Sequence, residues 1–80
     1  MERVYDYRKL RGKIREVFGT QSIFARELGL SEASLSAKLN NVVEWTQEEI
    51  ETSVHILGIP WKELPEYFFT SKVEKISTNR

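Results

Sequence analysis

The 80-residue chain contains no cysteine, a single histidine, two prolines and one methionine, and its formal charges cancel. Each scarcity removes a class of function. Without cysteine there is no disulfide framework and no thiolate metal site. His55 stands in a helical stretch with no second histidine, so it lacks the convergent partners that metal binding or imidazole catalysis needs. Asp6 is the only aspartate, and glutamates such as Glu48, Glu49 and Glu51 fall at exposed helical spacing, which suits helix-dipole and solubility roles better than an acid/base pair. Neither a glycine-rich phosphate loop nor a nucleophile elbow is present. The expectation is that the protein is no enzyme and needs no metal, cofactor or small-molecule ligand. No apolar run is long enough to span a membrane, and the start "MERVYDYRKL" carries no apolar targeting segment. A soluble protein of a reducing cytosol is expected.

What is present is a small body with divided charge. Residues 1–40 hold eight Lys/Arg against five Asp/Glu, and residues 41–80 hold four against seven, so a balance of +3 faces one of −3. Such a split either orients the protein toward an anionic partner or simply solvates two surfaces. A chain of this length buries only ~60% of the surface its unfolded form exposes, so each apolar side chain counts. One domain is expected over residues 1–69, with an extended or flexible tail over 70–80.

Helix signals follow one another closely. Asp6 is a good N-cap for a helix over about Tyr7–Phe18, whose Leu10, Ile14, Val17 and Phe18 share a face before Gly19 stops it. Thr20 caps a second helix with Phe24, Ala25 and Leu28 inward and Gly29 at its end; Ser31 caps a third, running to Leu39 or Asn40, where Asn41 tolerates positive φ. The fourth start is the best signed: Thr46 and Glu49 make a capping box, with Trp45 placed to staple onto Ile50. Ile50, Val54 and Leu57 form its apolar stripe, and Gly58 closes it. "IPWKEL" then restarts a short helical turn at Pro60, Pro65 interrupts it, and "YFFTSKVEKISTNR" reads as an extended segment with a polar end.

Two helices joined by a tight turn of three or four residues make a helix-turn-helix, whose second helix enters the DNA major groove. Ala25 falls where the two helices cross most closely, Gly29 permits the turn, and Phe24, Leu28, Leu30 and Leu35 converge. At these residues the chain resembles the Cro and repressor type of helix-turn-helix, the XRE superfamily, without a gap from Thr20 to Asn41. "TQ", "NN" and "LGIPWKEL" extend the resemblance over most of the chain. More narrowly, the wording "YDYRKLRGKI" through "EYFFT" looks like a family of small uncharacterised proteins from temperate phages of Gram-positive bacteria. The resemblance implies an all-α, five-helix, lambda-repressor-like domain with a short extended C-terminal tail. It further implies a Cro-like phage or prophage repressor in the host cytosol, binding a double-stranded operator as a homodimer.

Carried over residue by residue, the resemblance puts Gln21 and Asn40 on phosphates. It puts Ser31, Glu32, Ala33 and Ser34 at the groove-facing start of helix 32–39, with Ser36, Ala37 and Lys38 further along and Asn41 at its end. Small Ser and Ala let a helix lie deep against base edges, and short amide and hydroxyl groups donate to phosphate oxygens. The helix lacks Arg, Asn or Gln at its start, so bidentate pairing with guanine or adenine is missing, and Glu32 repels phosphate unless a cytosine amino group satisfies it. Lys38 stands where relatives carry an apolar residue. Either it reaches a phosphate along its stem, or the helix is rotated from the usual pose. Arg8, Lys9, Arg11, Lys13 and Arg15 encircle the first helix, so at most two can flank one duplex.

Aromatic residues Trp45 and Trp61 are expected in the core. Tyr67, Phe68 and Phe69 cannot all be, because an extended segment alternates its faces, and they are the expected dimer contact. A competing reading keeps the fold and discards the DNA: a protein-binding module, antirepressor or antitoxin in kind, that uses Tyr67–Phe69 as its surface.

Overall fold

A computed structural model describes residues 4–72. Five α-helices follow in order: α1 Arg8–Phe18, α2 Gln21–Leu28, α3 Glu32–Leu39, α4 Gln47–Leu57 and α5 Leu64–Phe68, the last preceded by a 3-10 turn at Trp61–Glu63. The all-α class expected from the sequence holds. Helix α1 is the hub, packing on α2, α4 and α5, while α2 also packs on α3 and α4.

Side-chain caps explain most boundaries. Thr20, Ser31 and Thr46 each adopt extended backbone and accept from the amide three residues on, at 3.2, 3.0 and 3.1 Å. The box at α4 is complete, since Glu49 accepts from the Thr46 amide at 3.0 Å. Helix α1 begins one residue later than expected, at Arg8, although Asp6 still serves its start by accepting from the Arg8 amide at 3.0 Å. Gly29, at φ +78°, reverses the chain between α2 and α3, and the Leu30 amide then reaches Ala25 O at 2.8 Å. An L-residue would meet left-handed strain there.

The core gathers Leu10 and Ile14 from α1, Phe24 and Ala25 from α2, Leu35 and Leu39 from α3, Val54 and Leu57 from α4, and Phe68 from α5. At about 1.5–3 kcal/mol for each large side chain fully buried, these few residues supply most of the driving force. Ala25 is almost wholly covered, as a helix crossing requires. Three expectations are corrected. Val17 is exposed: it lies at the edge of a stripe centred on Leu10, Ile14 and Phe18. Trp61 is 62% exposed on its 3-10 turn, whereas Trp45 packs against the core with its ring edge-on to Phe68 at 5.2 Å. Pro65 starts a helix instead of ending one, because a first-turn residue has no intrahelical amide bond to lose. Tyr67 and Phe68 are therefore helical and buried, and of the three adjacent aromatics only Phe69 is exposed.

The chain is closed by backbone pairing far apart in sequence. Val4–Asp6 runs antiparallel to Thr70–Lys72, with the Asp6 amide on Thr70 O at 2.8 Å and the Lys72 amide on Val4 O at 2.9 Å. On the other edge of the same segment, Asn41 clasps Tyr5: its Oδ1 accepts from the Tyr5 amide and its Nδ2 donates to the Tyr5 carbonyl, both at 2.9 Å. A carboxamide presents the same donor and acceptor as a peptide group, so Asn41 replaces a neighbouring strand. Its φ of +63° puts the side chain there. The rest of the expected tail, residues 73–80, lies outside the described residues.

Two contributions meet at Asn41 and can be separated. Asn41→Ala is expected to lower stability by about 2–3 kcal/mol, from two lost hydrogen bonds at about 1 kcal/mol each and the left-handed backbone. Asn41→Gly should recover the backbone part alone, a difference that urea unfolding followed by circular dichroism will show as two distinct midpoints.

Candidate interface on the third helix

The face of α3 that turns outward is built of Ser31, Glu32, Ala33, Ser34 and Ser36, all exposed, with Ala37 partly covered beside them. Its start is stiffened internally: the Ser31 hydroxyl, besides capping Ser34 N, donates to Ser34 Oγ at 3.0 Å. Gln21, at the first position of α2, is half-buried. These positions stand on two successive helices joined by the turn at Gly29. The far end of α3 is occupied. Arg11, from α1, donates to Leu39 O at 3.1 Å and to Asn40 Oδ1 at 2.9 Å, placing a cation on the negative end of the α3 dipole. Asn40 Nδ2 in turn donates to Ser36 Oγ at 3.2 Å, and Asn41 is committed to Tyr5.

Lys38 is the principal correction. Instead of reaching toward a phosphate it is buried, on the inward stripe with Leu35 and Leu39. Its ammonium donates to Glu49 Oε1 at 3.0 Å and to Glu44 O at 3.1 Å. Glu49 Oε1 is the same atom that accepts from the Thr46 amide. Burial alone pushes the Glu49 carboxyl upward, but the hydrogen bonds from Thr46 and Lys38 outweigh it and the net direction is down. The sequence showed Glu49 as a capping residue and missed its second partner. The signal was a lysine at an apolar stripe position with the carboxylate of a capping box downstream.

The exposed surface of α3 consequently carries Glu32 and no cation. Several α1 cations are engaged elsewhere: Arg8 with Asp6 at 2.9 Å, Lys13 with Glu16 at 3.7 Å, and Lys9 with Glu66. The Arg8 hydrogen bonds hold the Asp6 carboxyl down to about 2. Arg15 is exposed on α1. The expected dimer contact is also revised, since Tyr67 and Phe68 face the core and only Phe69 of that trio meets solvent. His55 is exposed on α4. Among the described residues no three His, Asp or Glu side chains gather closely enough to hold a metal, and no helix is long and apolar enough to cross a membrane.

A small all-α domain with an outward, nearly uncharged third helix is thus the class of protein this fold defines. The chain belongs to the family described as Protein of unknown function (DUF739), which matches residues 3–71. Among solved structures it is similar to the solution structure of the modulator of repression (MOR) of the temperate bacteriophage TP901-1 from Lactococcus lactis: 48% identity, 88% of this chain and 95% of that chain covered, TM-score 0.73. No curated protein matches. Both findings are consistent with the narrower resemblance, to small phage proteins.

Removing either partner of a buried pair leaves the other's charge uncompensated, whereas replacing both by uncharged side chains of similar shape does not. Glu49→Ala and Lys38→Met are therefore each expected to lower stability by about 3–5 kcal/mol, and Lys38→Met combined with Glu49→Gln, which keeps a capping side chain, to change it by less than about 1.5 kcal/mol. Because the folded value of Glu49 lies below its ordinary one, its contribution is complete above the ordinary carboxylate range and is lost as pH falls through the lowered value. Thermal unfolding across a pH series should show a smaller acid loss in Lys38→Met than in the parent.

Proposed function

We propose that the chain regulates a phage repression switch by protein contact, docking its α3 face on the cationic DNA-reading surface of a repressor. One observation carries the reading: the only lysine of α3 is buried on Glu49, so the outward face offers Glu32 and small residues without a cation. Duplex binding draws most of its affinity from phosphate neutralisation, and a helix entering the groove with a carboxylate and no cation works against that term. A repressor's own recognition surface has the complementary charge. The name of the similar phage protein, modulator of repression, supports a role of this kind, and the zero net charge of the chain fits it. On this reading Glu32, Ala33, Ser34, Ser36 and Ala37 are contact residues, the protein catalyses nothing, and it works in the bacterial host cytosol.

A second reading retains operator recognition. The exposed, small-residue start of α3, held by the Ser31 cap, favours it. A Cro-like homodimer would then place Gln21 and Asn40 against phosphates and Ser31 to Ala37 against base edges, with the two α3 helices about one DNA turn apart. On this reading Lys38 and Asn41 are left out, because their side chains are already bonded to Glu44 and Glu49 and to Tyr5.

Selection of duplexes from a random pool at about 0.1 M salt separates the two. Protein docking predicts that no motif is enriched, that the chain releases a phage repressor of the helix-turn-helix type from a fluorescent operator, and that Glu32→Lys weakens this release at least about tenfold, a difference of about 1.4 kcal/mol. Enrichment of an inverted repeat, bound with a steep salt dependence, would overturn it in favour of operator reading.

A further inference from the structure

Beside α3 lies a second surface, formed where the two ends of the described chain meet. Val42 and Val43, in the loop between α3 and α4, are 75% and 48% exposed, and Phe69 is 49% exposed. Such large apolar side chains grouped together on so small a protein mark an interaction site. They border a hollow walled by aromatic rings: Trp45 stands edge-on to Phe68 at 5.2 Å and to Tyr7 at 6.3 Å, and Tyr5 edge-on to Phe69 at 5.8 Å. Ring-on-ring contacts fix the Phe69 side chain before any partner arrives, which lowers the ordering cost of binding.

A second hollow shares the Tyr5–Asn41 clasp as its wall and has the opposite character. Arg8, Arg11 and Lys72 line it, with Asp6 as its one carboxylate. Asp6 is neutralised by Arg8 at 2.9 Å, which leaves Arg11 and Lys72 as the surplus charge. Only one guanidinium nitrogen of Arg11, Nη2, is used within the fold among the described residues, so side-chain donors remain. Glu44 lines the aromatic hollow and none of these cations does. An acidic group therefore belongs at the arginine side and an apolar one among the rings.

We propose that this paired surface docks an acidic–apolar segment of another protein, its apolar side chains entering the aromatic hollow and its carboxylates meeting Arg11 and Lys72. The proposal rests on the reading that the chain works by protein contact, but it engages a face distinct from that of Glu32 to Ala37. Its occupant is defined by charge complementarity, with a second copy of this chain as the competing occupant.

The test uses the full chain and two synthetic peptides that share an apolar centre of leucine and phenylalanine, one headed by a pair of glutamates and the other by a pair of lysines. Amide chemical shifts should move at Val42, Val43, Phe69 and Lys72, with the glutamate peptide about fivefold tighter at low salt and the preference lost near 0.5 M. Val42→Ser, at a side chain so exposed that folding does not depend on it, should weaken both peptides, and Lys72→Glu should erase the preference. Glu32→Lys should leave peptide binding unchanged, which separates failure here from failure of the α3 reading. Equal or tighter binding of the lysine peptide, or shifts confined to α3, overturns the proposal. Concentration-dependent self-association abolished by Val42→Ser would overturn it in favour of a second copy.

Discussion

A single carboxylate oxygen, Glu49 Oε1, ties α3 to α4. It accepts from the Thr46 amide, which starts α4, and from the Lys38 ammonium, which comes from the inward stripe of α3. One acceptor thus sets the first turn of one helix and the rotation of another. Lys38 also reaches Glu44 O in the intervening loop, so the segment Glu44–Thr46 is fixed at both ends. A buried pair of this kind adds little net stability over two uncharged residues of the same shape, but either charge left without the other is costly. The pair therefore acts chiefly on geometry. It determines which residues of α3 face outward and leaves that face without its own cation.

Around that pair the remaining polar contacts have a common direction. Arg11 seals the carbonyl end of α3, Asn40 turns back onto Ser36, and Asn41 leaves the helix in the left-handed region to take hold of Tyr5. Each ties a side chain to the fold near the end of the helix and leaves its beginning bare. Ser31 to Ser34 and Ser36 consequently stay exposed while the residues after them act as fastenings. Lys38, Asn40 and Asn41, polar residues near the end of α3, each bond within the fold.

Much of the fold was legible because its signals are local. Thr20, Ser31, Thr46, Gly29 and Gly58 act within a few residues of themselves, and each bounds the helix it was expected to bound. The misreadings share the opposite property. Whether Lys38 points to solvent or to Glu49 depends on how α3 sits against α4, which no window of sequence around Lys38 contains. The sequence reads Pro65 as an interruption, but a proline in a first turn and a proline after a last turn look alike until the position of Leu64 in α5 is known. That choice decided the fate of three aromatics together: with helical rather than alternating geometry, Tyr67 and Phe68 turn inward and Phe69 does not. The α3 surface was legible as a set of residues, and its electrostatic character was not, since that follows from a distant carboxylate.

The Asn41 clasp has a kinetic consequence. The α1–α2 and α2–α3 contacts are of short range and form quickly, whereas Tyr5 meets Asn41 across 36 residues and Ser71 across nearly the whole described length. Closing such long loops carries the larger entropic cost and yields a few exposed hydrogen bonds in return. The terminal ladder is accordingly the last element to form and the first to open, with its amides exchanging hydrogen through a local fluctuation while those of α1 and α4 await global unfolding. Since Tyr5 stands on that ladder and Phe69 adjoins it, opening it removes one wall of the ring-lined hollow.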